Sequence, residues 1–460
     1  MTGPDTLERP GPLAVVGGPL GRHASARARS WLATVAPLIV VSTGAVALGV
    51  AQRAHCVAAG WNGSDQFWHG CFSDLPALYR IGNLHAGVGG YLATSGQMAQ
   101  LDHPVLTGAV MALVGGLVPD GSVLDQTRWY FGIWAVLAAV LVAATVYLTA
   151  ASRPRHIADA ALVAASPLLV LVPLVSADIV GVTLVAAGLW AWASRRPVLA
   201  GVLLGLAVAA RTYPLLVLLA LVLLGLRAGR LAGVWRALGG AAAGIAIVLL
   251  PFLVSNPEAI LRPYAAWWRA EAGLGGMWII PQLLGHALPS GAVTALAIAG
   301  LVAAVLAGAA FALGSARRPT LAEVSLVLVA IALVTGKSYP VQAALWLLPL
   351  AALCGVRWRD HLVWVGAEAL HFAMVWAYVG GLSKADRGLP PAWYAVFVAL
   401  RVAAVLYLAW RVWHTAALRP AHEPQEEWPV AEPDPDSDAV VDELAGPFTD
   451  APDRLIVRLG

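Results

Sequence analysis

The sequence predicts an all-α integral membrane protein with about twelve transmembrane helices and a long first extracytoplasmic loop. Three observations carry that prediction. Charged residues are 12% of the 460 and hydrophobic ones 59%, whereas a soluble domain carries about 25% charged residues. Such a chain has too little polar surface to face water on every side. Its apolar runs, rich in Ala, Leu, Val and Gly, approach the roughly 20 residues that cross a bilayer core as a helix, and the mean hydropathy is +0.75. Its basic residues fall in short clusters between those runs.

Taken in order, residues 1–30 form a basic tail with Arg22, His23, Arg27 and Arg29. No small-residue cleavage site follows the first apolar run, so 31–51 reads as an uncleaved helix. The further spans are 129–150, 157–175, 179–193, 198–210, 213–226, 235–254, 292–313, 321–335, 341–355, 362–379 and 392–413. Basic clusters at 153–156, 195–196, 227–230, 317–318 and 357–359 separate them. Lys and Arg favour cytoplasmic loops, and alternating the spans puts every cluster inside, with both termini cytoplasmic in a plasma membrane. The apolar run 104–118 is only about fifteen residues long, the length of a re-entrant or interfacial helix. Counted as a crossing, it would invert every later cluster. Two long outer segments remain, 52–128 and 255–291, the second rich in Trp. Residues 414–460 read as a disordered cytoplasmic tail, because 423–453 holds eleven acidic and no basic residues. The membrane domain is therefore 31–413.

The first outer segment concentrates the polar residues. Cys56 and Cys71 lie in an oxidising compartment under this topology and are expected as a disulfide, which for a loop of this size contributes about 3 kcal/mol in the chain-entropy model. The His and Cys spacings match no zinc pattern, so no metal is indicated. Asp74, in "CFSDLPALYR" with Tyr79 and Arg80, suits a general base towards a sugar hydroxyl or, more plainly, the cap of the helix that Pro76 opens. Asp102 and His103 precede Pro104 as a second site pair or as the polar start of an interfacial helix. Asp178, Arg211, Lys337 and Gln342 mark helix ends on the same outer side. Charge at membrane depth is paired or functional, or it is an anchor that snorkels to the interface. Cys354 reads as a small buried residue. Glu368 and His371, three apart on one helix, read as an internal hydrogen-bonded pair.

These motifs resemble the family 87 glycosyltransferases and related bacterial GT-C membrane enzymes. The likeness lies in "SDLPALY" in the first outer loop, "LDHPVLTG" opening the next apolar helix, "ARTYP" inside a long apolar stretch and "GKSYPVQAALWLLP" late in the chain. It runs from about Trp31 to Trp413, and the order of the motifs carries it. The sequence departs from the pattern at His103, where the family has an aromatic residue, at Arg211, where Lys is common, and at Val341, which separates Pro340 from Gln342. The resemblance implies transfer of a sugar, mannose or arabinose for example, from a polyprenyl-phosphate donor to an extracytoplasmic envelope glycolipid or polysaccharide. It makes Asp74 the base of a single inverting displacement. It makes Tyr79, Asp102, His103 and Asp178 candidates for sugar and acceptor, and Arg80, Arg211, Lys337 and Gln342 candidates for the donor phosphate. The lipid-linked donor and the bilayer are the implied partners, with no certain cofactor beyond the donor, a divalent metal being possible but not indicated, and no nucleic acid. An Ala-, Arg- and Gly-rich composition points to a high-GC organism such as an actinobacterium.

Two other classes stand beside this one. A transporter or flippase suits helices rich in small residues, although no inverted repeat is visible and mid-helix charges are few. A non-catalytic scaffold for envelope enzymes would use the acidic tail as a docking arm.

Overall fold

The computed structural model describes residues 31–92, 101–384, 386–419 and 442–457. The basic tail 1–30 and residues 420–441 of the acidic tail lie outside the described residues. Among the described residues every regular element is a helix. Helix α1 (Trp31–Gln52) leads into the short helices α2 (Ala54–Ala59), α3 (Asp65–Trp68), α4 (Asp74–Ile81), α5 (Gly87–Leu92) and α6 (Val105–Gly115). Then come α7 (Val123–Ser152), the fragments α8 (Ala161–Ala164) and α9 (Leu168–Leu171), α10 (Ile179–Ala193), α11 (Pro197–Ala210), α12 (Pro214–Ala228) and α13 (Leu231–Ser255). The chain continues through α14 (Pro257–Arg269), α15 (Ile279–Leu283), α16 (Ser290–Gly314), α17 (Leu321–Val334), α18 (Ala344–Leu353), α19 (Trp358–Gly381) and α20 (Pro391–Ala417).

Six of these, α1, α7, α13, α16, α19 and α20, are long and apolar enough to cross a membrane, at 22 to 30 residues each. That is roughly 33–45 Å of helix against a hydrocarbon core of about 30 Å. Large apolar side chains stand exposed along them, among them Val40, Leu48, Ile247, Leu306 and Val396, which a water-facing surface of this extent would not tolerate. The chain is thus a multi-pass helical membrane protein. The shorter apolar helices α10, α11, α12 and α17 have 14 or 15 residues, roughly 21–23 Å. The most enclosed is α17, whose Val324 and Leu326 to Ala330 are buried on all sides. A helix that packs on protein can end at membrane depth, because neighbours satisfy its terminal backbone groups.

One expected span is not a continuous helix. Residues 157–175 form a 3-10 turn (Ile157–Ala160), the fragments α8 and α9, and bends between them. Pro167 and Pro173 explain the breaks, since each lacks the N–H that a helix interior needs. The segment runs beside α1, from Ala160 near Val35 to Val170 against Gly49. The run expected to be re-entrant is α6, whose 11 residues measure roughly 16 Å, about half a crossing. Thr107 Oγ1 donates to the Ala210 carbonyl at 2.7 Å, tying α6 to the end of α11.

Helices α11 and α13 approach most closely. A Cβ on Gly201 or Gly205 would stand 1.9 or 2.2 Å from the carbonyl oxygens of Ala237 and Ala241. On the other helix, Gly240 and Gly244 meet the carbonyls of Val198 and Val202 in the same way. Two small-xxx-small stripes thus face each other, the usual device for bringing backbones together in lipid.

The acidic tail is not disordered throughout. Residues 442–457 dock on the helix ends that carry the basic clusters. Glu443 accepts from the Arg155 backbone N–H (2.8 Å) and from His156 Nδ1 (2.9 Å). Asp453 accepts from Arg227 at 2.7 Å, Phe448 packs edge-on to Trp192, and Val457 N–H donates to the Leu313 carbonyl. The acids of this stretch meet basic groups at the helix ends, Glu443 beside Arg153 and His156 and Asp453 beside Arg227 and Arg318.

Gly201→Val should force the α11–α13 backbones apart at a cost of about 1–3 kcal/mol, read as a lower melting temperature in detergent. Gly44→Val, at a position with open space around it, should leave melting unchanged.

Candidate functional site

The Pro-broken segment builds the site. Its freed carbonyls need donors at a depth where water is scarce, and the first outer segment supplies them. Arg53, fully buried, donates to Leu171 O at 2.6 Å and to Gly49 O at 3.0 Å. Ser73 Oγ donates to Leu174 O at 2.6 Å, and the Asp74 backbone N–H to Val175 O at 2.8 Å. Ser73 is therefore the N-cap of α4 by position, but its hydroxyl is committed elsewhere and makes no capping bond. Asp74 is the first residue of α4, so the capping reading of its side chain does not hold. Among the described residues its carboxylate accepts no hydrogen bond. The Cys56–Cys71 disulfide closes the same segment.

Beside Asp74 lies an ion pair. Asp178, 2% exposed, accepts from an Arg211 guanidinium N–H, from Ser176 Oγ at 2.7 Å and from Trp346 Nε1 at 2.8 Å. Trp346 in turn stacks on Tyr213, with ring centroids 4.5 Å apart. Arg211 occupies the extended residue between α11 and α12, where Pro214 starts a new helix. His103 Nδ1 lies 3.5 Å from the same guanidinium. His103 Nε2 and Arg211 Nε are buried without a partner. Burial, helped by the Arg211 charge, pushes the His103 imidazole down to about 4, so it is neutral at physiological pH. Burial, and then the negative charge of Asp178, raise the Asp74 carboxyl to about 6, while Arg211 pulls the other way. Asp74, Asp178, Arg211 and His103 therefore form one electrostatic unit, drawn from four places between residues 74 and 211.

Asp74 also lines a cavity of about 390 Å³ together with Gln342, His371 and an aromatic wall. The wall is Phe67, Phe72 and Trp376, stacked with centroids 4.6 to 5.9 Å apart. Behind it, Arg401 Nε donates to Glu368 Oε2 at 2.7 Å, and Tyr339 Oη to Glu368 Oε1 at 2.6 Å. Glu368 is thus bonded to Arg401, Tyr339 and Trp364 and not to His371, contrary to the pairing expected from their spacing. His371 Nε2 instead meets Tyr394 Oη at 3.3 Å, and its Nδ1 is buried without a partner.

The remaining candidates lie apart from Asp74. Tyr79 is buried against Tyr130, at 4.6 Å between centroids, in a separate core. Arg80 is exposed and donates to Asn62 Oδ1, and Asp102 is exposed. Lys337 is fully engaged elsewhere: its ammonium donates to the carbonyls of Trp267, Trp268 and Ala270, each at 2.9 Å. It caps the end of α14 and has no N–H left for a phosphate, which corrects its place among the phosphate candidates. Helix α14 exposes Leu261, Tyr264, Trp267 and Trp268, a face suited to the headgroup layer.

Arg53, Ser73, Ser176 and Trp346 were not among the expected site residues. Trp346 stands inside the quoted "AALWLLP" stretch, so its indole was in view. Arg53 looked like any arginine just past a span.

Lys337→Met should destabilise the protein by about 2 kcal/mol or more, because three charge-assisted acceptors lose their donor. Detergent melting curves read this, and an unchanged melting temperature would remove the cap as an anchor of α14. No protein-family model matches the chain, and neither does any curated protein; the chemistry has to be read from the side chains themselves.

Proposed function

We propose that this protein is a glycosyltransferase that moves a sugar from a polyprenyl-phosphate donor to a hydroxyl of an envelope glycolipid or polysaccharide on the extracytoplasmic side. The observation that carries the reading is the Asp74 carboxylate, free of hydrogen bonds and half-buried, on an aromatic-walled cavity beside the Asp178–Arg211 pair. A carboxyl raised to about 6 is a stronger base than an ordinary one, yet still ionised for the most part at neutral pH. In the reaction it takes the proton of the acceptor hydroxyl as that oxygen bonds to the anomeric carbon. The bond from that carbon to the phosphate oxygen breaks, the electron pair leaves with polyprenyl phosphate, and the configuration inverts. Arg211, with an unused Nε–H, and His103 Nε2 are the polar groups available to the departing phosphate. Phe67, Phe72 and Trp376 offer ring faces to the sugar or to the first isoprene units, and Gln342 a polar contact. The isoprenoid itself would stay among the lipid-facing helices.

A transporter or flippase remains the second reading, because broken helices around a buried charge are also how transporters build a substrate site. Transfer of label from a polyprenyl-phosphate sugar, as against its mere movement across a vesicle, separates the two.

In such an assay Asp74→Asn should reduce turnover by about 10²-fold or more, with melting unchanged. Turnover of the wild type should fall as pH drops through about 6, since the base is lost on protonation. Normal turnover in Asp74→Asn would overturn the assignment. Arg211→Lys keeps a charge opposite Asp178 but loses the planar fork; its turnover should fall about tenfold, or about 1.4 kcal/mol. Unchanged donor affinity and turnover would remove Arg211 from the phosphate site.

A further inference from the structure

We infer that His55, Asp65 and His69 form a binding site for a transition-metal dication of the zinc type on the outer segment, distinct from the Asp74 cavity. One ligand atom from each residue lies within 4.8 Å of the other two. His55 Nε2 and Asp65 Oδ2 are 3.2 Å apart. Tetrahedral zinc with bonds of 2.0–2.1 Å needs its ligand atoms about 3.3 Å apart, so this edge of the coordination figure is already at length.

The local fold explains how residues with no zinc-like spacing meet. Asp65 opens α3 and His69 follows its last residue, an i, i+4 pair on one face of a single helical turn. His55 lies in α2, directly before Cys56, and Cys71 follows two residues after His69. The disulfide therefore clamps the two halves of the chelate together from both sides. His69 Nδ1 lies 3.0 Å from the Asp65 carbonyl. Donation there fixes the tautomer that leaves Nε2 with a lone pair, as a second-shell carbonyl does for metal-ligating histidines. The imidazoles of His55 and His69 stack face to face, with centroids 3.6 Å apart and planes 15° apart. A metal lies in the plane of each imidazole that binds it, so one of these two exposed rings must turn about its χ angles to bring both lone pairs onto one ion. All three residues are open to solvent, which gives an entry path and leaves a fourth position for water.

The site has a structural consequence for the cavity. Helix α3 also carries Phe67, part of the aromatic wall, and Trp68, whose ring lies against Gly380 of α19. A bound ion would tie α2 to α3 and hold that wall in place. Catalysis through the metal is no part of this inference, which does not depend on the glycosyltransfer reading.

The test uses the full chain in detergent, without a polyhistidine tag, stripped with chelator and titrated with Co²⁺ alone. The expected result is one Co²⁺ per chain with the intense visible absorption of a four-coordinate site, displaced by Zn²⁺. His55→Ala and His69→Ala should each weaken binding tenfold or more, and His286→Ala, in the other outer segment, should not. Absence of that absorption in the wild type, or wild-type affinity in both histidine variants, overturns the site. Should either variant fail to fold, X-ray absorption on the Zn²⁺-loaded wild type decides: two imidazole nitrogens in the first shell support it, and a shell without them overturns it.

Discussion

The structure depends on one constraint: a backbone interrupted by proline inside a membrane protein must find donors for its stranded carbonyls. Residues 157–175 carry Pro167 and Pro173 and cannot hydrogen-bond to themselves as a helix. Arg53, Ser73 and the Asp74 backbone amide supply the donors. Because those groups belong to the first outer segment, satisfying the carbonyls also locks that segment onto the helical body. The Asp74 side chain is then held beside Asp178 as a by-product of backbone bookkeeping. The position of the Asp74 carboxylate is thus set by hydrogen bonds to backbone carbonyls, which do not vary with its protonation.

The same logic separates two kinds of buried cation. Lys337 and Arg53 are fully or largely consumed by carbonyls, so they hold architecture. Arg211 is shared between Asp178 and the vicinity of His103 and keeps an unpaired Nε. Burying an ion pair is costly unless its remaining protons and lone pairs are met. Ser176 and Trp346 meet those of Asp178, while the arginine side stays incomplete. An incomplete buried cation beside a free carboxylate is a place where an anionic ligand gains more than water would.

Much of the architecture was legible. The long apolar runs, the shortness of 104–118 and the location of the polar residues follow from hydropathy and charge alone. Asp74, His103, Asp178 and Arg211 could be picked out singly because charge in apolar surroundings is conspicuous. Their meeting could not, since nothing in local sequence says that "RTYP" and "VSADIVG" face each other. The partners of Lys337 were invisible for another reason: backbone carbonyls have no letter in the sequence. Residues 157–175 misled because an apolar run looks the same whether it is one helix or three fragments. The docked end of the acidic tail was missed because composition reports charge and not what the charge meets. His55, Asp65 and His69 were in plain sight but spaced unlike any zinc pattern, and only the folding of the disulfide loop brings them together.

The docking of residues 442–457 gives the basic clusters two successive tasks. On the expected topology the arginines at 153, 227 and 318 bias their loops to one side of the membrane during insertion. The acids that later engage them, Glu443 and Asp453, are translated only after every membrane helix of this chain. On that topology the same arginines act first as an orientation signal and afterwards as a fastener. A ribosome stalled anywhere before residue 442 would release a bundle threaded the right way but unlatched at that face, with the Arg227 guanidinium lacking its carboxylate.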